Sequence, residues 1–292
     1  MPGGEGALTA LLQVLVSGVL LGAVYALLAI GLNLIFGVMR VINIAHGELL
    51  MLGSYTTFWL FTLWGVNPLV SLLVAAAGLF LVGVGLQLGL VERVVGQPLL
   101  SSLLLTFGLS SFLSGLALNL WTANYRSVPA FGGSVQVAGL ALSLPRLIAF
   151  GVALAITVAV YLFLRSARIG KAIRATSQNA EVALVCGIDV ARIRLLTFGL
   201  GAAMAAAAGS LFAVIYTVYP EMGGRYVLKA FAIIVLGGLG SFGGAFLGAL
   251  ALGVAEALVA FVWNTQIAEA VAYVLFIGVL LARPSGLFGV RD

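Results

Sequence analysis

The polar residues of this sequence are few, and most fall in stretches too apolar to leave them unpartnered. The densest group runs from Gly31-Leu32-Asn33-Leu34-Ile35-Phe36-Gly37 through Arg40, Asn43 and Ala45-His46-Gly47-Glu48 to Met51-Leu52-Gly53-Ser54-Tyr55. Bare polar groups in lipid cost several kcal/mol each. They must bond one another, line a wet path, or sit at an interface. Two readings stand. In one, this is an interfacial turn, with Asn43 capping the following helix and Glu48 complementing its N-terminal dipole. In the other, it gates the mouth of a pathway.

Glu256 lies midway along an apolar run, and a carboxylate there marks a functional position unless it is protonated and bonds a neighbouring helix. Tyr25, Asn33, Gln87, Thr106 and Ser110 complete the candidate pathway set with Asn43, His46, Glu48, Tyr55 and Glu256. Gln13, Ser17, Ser114 and Asn119 are further polar residues within apolar runs. Serine and threonine are weaker signals, because they can bond helix carbonyls of their own chain. His46 is the sole histidine. With Ser241 it is the one pair open to an intramembrane protease, but its interfacial position and its neighbour Glu48 argue for a structural role. The run Gly237-Gly238-Leu239-Gly240-Ser241-Phe242-Gly243-Gly244 lacks the Gly-Lys-Ser/Thr of a phosphate loop and reads as a kink or close helix packing.

The elements that hold these residues follow from composition. Of 292 residues, 63% are hydrophobic and 8% charged, whereas a soluble domain carries about a quarter charged. Such a chain is an all-α, polytopic integral membrane bundle. The net charge of +5 does not point to nucleic acid, since the cations cluster between apolar blocks. The single Cys186 excludes a disulfide framework or a multi-cysteine metal site, and neither a metal nor a cofactor is expected. Met1 to Ala7 contains no Lys or Arg, so the first block reads as a retained helix with its N-terminus outside.

A span needs about 20 residues. Candidates are Leu8 to Phe36, Ala45 to Trp64, Leu69 to Val91, Leu99 to Trp121, Leu147 to Leu164, Leu195 to Tyr219, Ala245 to Trp263 and Ala268 to Ala282. Tyr226 to Leu239 adds a short helix broken near Gly240. Its stretch 229–239 is 11 residues, about 16 Å of helix, or half a membrane. This gives about nine transmembrane helices, or eight plus a re-entrant segment. Asn124 to Ser143 is Gly-rich and reads as a long external loop. Gly-interrupted segments near Gly31 to Gly53 and Gly237 to Gly253 form a loose echo of the kind that accompanies transport pathways.

Residues 165–194 form the one long polar segment. It holds Arg165, Arg168, Lys171, Arg174, Arg192 and Arg194, and this bias places it in the cytoplasm. Alternation then puts Arg40, Arg93, Arg283 and Arg291 inside as well, with the C-terminus cytoplasmic. Arg126, Arg146, Arg225 and Lys229 break the pattern. Within the segment, Thr176-Ser177-Gln178-Asn179 looks like a cap. Ala180 to Cys186 is a short helix and Gly187-Ile188 its stop. Two turns of helix are unstable alone. Val182, Leu184 and Val185 must therefore dock, either on the chain's own helix ends or in a groove of an ATPase.

Three of these stretches resemble branched-chain amino acid ABC permeases of the LivH type, a group to which urea and amide permeases are similar. They are Gly31 to Tyr55, Ile173 to Asn179 with Gly187-Ile188-Asp189-Val190, and Val235 to Gly244. Where the family usually has Ala-Leu-Met-Gly, this chain reads Ala183-Leu184-Val185-Cys186-Gly187. The resemblance spans nearly the whole chain and implies a single permease domain, 1–292, in a bacterial inner membrane. It implies a second related permease, two ATPase subunits and a periplasmic solute-binding protein as partners, with ATP hydrolysed by the partners. The implied coupling residues are Gln178, Asn179, Ala180, Glu181, Leu184, Gly187 and Ile188. The implied cargo is leucine, isoleucine, valine or other neutral amino acids, with urea, amides or aromatic acids as the alternative. Physics alone leaves an ion-coupled secondary transporter open, with Glu256 as its coupling site.

Overall fold

The computed structural model describes residues 4–137 and 139–282. Its helices are α1 (Gly4–Met39), α2 (His46–Trp64), α3 (Pro68–Gly89), α4 (Leu99–Trp121), α5 (Leu144–Ser166), α6 (Arg168–Gln178), α7 (Ala180–Val185), α8 (Val190–Ile215), α9 (Met222–Gly237), α10 (Phe242–Val262) and α11 (Thr265–Ala282). Each of the nine expected apolar segments overlaps one of these. Among the described residues, six helices (α1, α3, α4, α5, α8 and α10) are long and apolar enough to cross a membrane. The terminal cations Arg283 and Arg291, and the segment before Gly4, lie outside the described residues.

Two helices make the core. In the most apolar 18-residue stretch of α1 and of α8, 78% of residues are buried, against 17% for α4. Helix α1 packs along α10, α8 and α5, and α8 along α3 and α2. The outward faces of α3 and α4 carry exposed leucines, valines and phenylalanines such as Leu73, Leu81, Leu104 and Phe112, as a lipid-facing wall requires.

Without a hydrophobic drive between helices in lipid, close packing of small residues has to hold the bundle together. Gly18, Gly22 and Gly253 bring the backbones of α1 and α10 together, and Gly53 and Gly209 do so for α2 and α8. Ser54 adds a hydrogen bond from its hydroxyl to the Gly209 carbonyl, 2.8 Å. At the α2–α9 crossing, a methyl group on Gly47 would land on the Gly223 carbonyl. Gly47→Ala should therefore force the two backbones apart and destabilise the bundle by about 2–3 kcal/mol. A lower melting temperature of the detergent-solubilised chain would report it.

The breaks follow local rules. Asn67 caps α3 by accepting from Leu69 N–H at 2.9 Å, with Pro68 in the first turn. The segment expected as an irregular external loop contains an antiparallel hairpin, Ser134–Val137 with Leu140–Ser143. Its alternation is too short to stand out among loop residues. Residues 168–178, expected as polar loop, form α6, whose buried residues Gly170, Ile173 and Thr176 lie on one face.

Candidate functional site

A cavity of about 680 Å³ is lined by α1, α9, α10 and α11, with Arg146 and Tyr216 at its walls. On its wall three buried side chains meet. Lys229 Nζ lies 2.7 Å from a Glu256 oxygen. Tyr25 donates its hydroxyl to the other Glu256 oxygen at 2.8 Å and accepts from Lys229 at 3.1 Å. The ammonium also sits over the rings of Tyr25 and Tyr226, which adds cation–π attraction. One helical turn before Lys229, Arg225 pairs with Glu269 and donates to the Tyr219 hydroxyl.

The sequence marks Tyr25 and Glu256 as pathway residues but not Lys229, Arg225, Glu269 or Tyr226. The signal was present, because Lys229 and Arg225 were cations out of place. The structure accounts for all four exceptions at this one end. Lys229 and Arg225 are paired. Arg126 lies over the rings of Trp59 and Phe58 and donates to the Trp121 carbonyl. Arg146 lines the cavity.

The remaining candidate pathway residues fall in other places. Asn33 clasps the break between α9 and α10. It donates to the Ser241 carbonyl at 2.9 Å and accepts from Gly240 N–H at 2.8 Å. Gly238 and Gly240 have φ of +91° and +81°, a region open to glycine at little cost. Ser241 caps α10 through Gly244 N–H at 3.1 Å, so its hydroxyl is committed there rather than to His46.

Thr106 accepts from Ile44 N–H and donates to the Ile42 carbonyl, fastening the α1–α2 link to α4. Ser110 donates to Glu48 at 3.0 Å, and the carboxylate abuts Gly223 in the first turn of α9. His46 bonds the Leu28 carbonyl at 3.2 Å rather than Glu48. Asn43 does not cap α2. Ala45 holds the cap position in a helical conformation, which leaves the Asn43 side chain two residues too early, fully buried and without a hydrogen-bond partner among the described residues. Tyr55 stacks on Trp121, centroids 4.0 Å apart. Gln87 donates to Glu92, which pairs with Arg194 at 3.3 Å.

The short helix of the polar arm and its stop are built as the sequence suggests, but Thr176, Ser177 and Gln178 belong to the last turn of α6 and leave Asn179 alone as the cap. Asn179 caps α7, accepting from Val182 N–H at 3.0 Å. Gly187, φ +82°, closes it. Ile188 N–H bonds the Ala183 carbonyl at 3.0 Å and Gly187 N–H the Leu184 carbonyl at 2.9 Å, the paired bonds of a left-handed helix stop. Only Ala183 of this helix is buried. Helix α7 rests through Ala183 on α6 and α8, but Val182, Leu184 and Val185 are 57%, 64% and 88% exposed, so these three side chains do not pack on the chain's own helix ends.

Arm and cavity occupy opposite ends of the bundle. Helix α8 runs from beside α7 to Tyr216 on the cavity wall over 26 residues, about 39 Å. Helix α5 runs from Arg146 back to α6 over 23 residues, about 34 Å. Both exceed a hydrocarbon core of about 30 Å.

An apolar bundle with a charged cavity at one end and a bare apolar arm at the other defines a polytopic membrane permease. The chain belongs to the family described as branched-chain amino acid transport system / permease component, whose model matches residues 14–280. It is 37% identical over 294 residues to the high-affinity branched-chain amino acid transport system permease protein BraD of Pseudomonas aeruginosa, covering 95% of each chain. It is 34% identical over 298 residues to the corresponding LivH of Escherichia coli, again covering 95% of each. A probable LivH of Methanocaldococcus jannaschii is 28% identical over 306 residues, covering 95% of this chain and 92% of that one.

Proposed function

We propose that this chain folds as one transmembrane permease domain and serves as a permease subunit of an ABC importer for branched-chain or other neutral amino acids, working by ATP-driven alternating access. Its permease partner is a second related subunit, two ATPases dock beneath it, and a periplasmic binding protein delivers cargo. The family relationship and the relatives' names support the cargo. The observation that carries the mechanism is the bare apolar face of α7. A capped two-turn helix presenting Val182, Leu184 and Val185 to water is stable only against a partner.

In this reading residues 165–194 are cytoplasmic and the cavity faces the periplasm of an inner membrane. Gln178, Asn179, Ala180, Glu181, Leu184, Gly187 and Ile188 form the coupling element, and nucleotide-driven motion there tilts α8 and α5, which reach the cavity. Tyr25 and Glu256 stand at the outer end of the pathway. Asn33, Asn43 and Thr106 stand nearer the inner mouth, whereas Glu48 and Ser110 meet the first turn of α9 and His46 meets Leu28, between the two ends. Lys229 already supplies Glu256 with a cation at 2.7 Å, which weighs against Glu256 as the coupling site of a Na⁺ or proton carrier.

Proteoliposomes carrying the assembled complex should accumulate leucine only with internal ATP and the loaded binding protein. Uptake by this chain alone, driven by an ion gradient, would contradict the importer.

A further inference from the structure

A buried Lys–Glu pair is a weak source of stability, because apolar residues of similar volume in its place are often neutral or better. Its place on a cavity wall therefore calls for another account, and the hydrogen-bond inventory suggests one. An ammonium has three donors and a carboxylate about four acceptor sites. Lys229 donates to Tyr25 and lies against Glu256 as an ion pair, which leaves at least one N–H uncommitted. Glu256 accepts from Tyr25 on one oxygen, and its other oxygen, though 2.7 Å from the Lys229 ammonium, has no hydrogen-bond partner among the described residues, which leaves acceptor capacity on both. Both residues line the cavity, although their side chains are only 5% and 8% exposed.

We infer that this pair is a receptor for the zwitterionic head group of an α-amino acid, which it binds by charge exchange. The incoming carboxylate takes the free N–H of Lys229, and the incoming ammonium takes the free lone pairs of Glu256. Tyr25 stays bonded to both and holds them in place. Four charges then form a closed neutral array, so neither protein charge is left alone in a low-dielectric wall. A ligand with one charge would leave one member of the pair without its counterpart. The same cavity offers Leu21, Ala257 and Phe261 to an aliphatic side chain. Arg146 lines it too and makes no ion pair among the described residues. It gives the lining an excess of one positive charge, which draws the carboxylate end inward.

This assignment rests on the importer reading and names the part of the chain that would receive its cargo. The test uses the assembled complex in nanodiscs, free of nucleotide and of binding protein. Saturable binding is measured for leucine, for isocaproate, which lacks the ammonium, and for isoamylamine, which lacks the carboxylate. Leucine should bind at least tenfold more tightly than either. In the double variant Lys229→Met/Glu256→Gln, which removes both charges together, leucine should lose that advantage. Isocaproate binding as tightly as leucine would overturn the charge exchange, as would the absence of saturable leucine binding. ATP-dependent uptake by the unmodified complex, followed in parallel, separates the two ideas. Loss of uptake would count against the importer, whereas intact uptake with unselective binding would count against this site alone.

Discussion

Lys229→Met, made alone, should unfold or misassemble a large fraction of the protein. The substitution leaves Glu256 buried beside Tyr25 with no cation within ion-pair distance among the described residues. Removing one partner of a buried pair costs about 3–5 kcal/mol, a large part of the stability of most domains. Glu256→Gln introduced with it should restore much of the loss, because an amide accepts from Tyr25 without carrying charge. The interaction between the two substitutions should therefore be large and favourable, as expected for residues in direct contact. Thermal melting of the purified chain and its yield of monodisperse protein would measure it. Equal losses for the single and the double variant would mean that the pair contributes through packing rather than charge.

Leu184→Asp should have the opposite profile, with a sound fold and failed transport. Leu184 is 64% exposed, so the chain itself gains little from it. If α7 docks in an ATPase groove, losing one buried leucine costs about 2 kcal/mol, roughly thirtyfold in affinity, before the carboxylate's desolvation is added. Uptake should fall more than tenfold while insertion and melting stay near those of the parent. Exchanging Glu181 for lysine at the start of the same helix should also uncouple. Uptake at parental levels in both variants would remove the coupling role.

Much of this architecture was legible because lipid imposes strict rules. An apolar run without charges has to become a helix, so the segments around α1, α3, α4 and α5 stood out. The stop at Gly187-Ile188 was legible for a local reason, since a left-handed glycine followed by an apolar residue closes a helix whatever lies around it. Helix α6 was less legible. Its identity depends on Gly170 meeting the end of α5 and on Arg174 donating to the Leu164 carbonyl at 2.9 Å, contacts that no periodicity states.

The cavity was half legible. Glu256 announced itself as a charge in an apolar run. Lys229 and Arg225, four residues apart, looked instead like exceptions to the segregation of cations. What makes them partners of Glu256 and Glu269 is the packing of α9 against α10 and α11, a tertiary fact. Asn43 shows the same limit from the other side. A cap is read from sequence by position, and the helix begins two residues later than that reading needs.

The claim on which the mechanism depends is that α7 is covered by a nucleotide-hydrolysing partner on the cytoplasmic side. Cys186 is the only cysteine of the chain, it closes α7, and it is exposed. A benzophenone maleimide placed on it, then irradiated in membranes containing the whole transporter, should yield an adduct with an ATPase subunit. A membrane-impermeant thiol reagent should reach Cys186 only after the cell is opened. Labelling from the periplasm of intact cells, or an adduct pattern without any ATPase, would contradict the account.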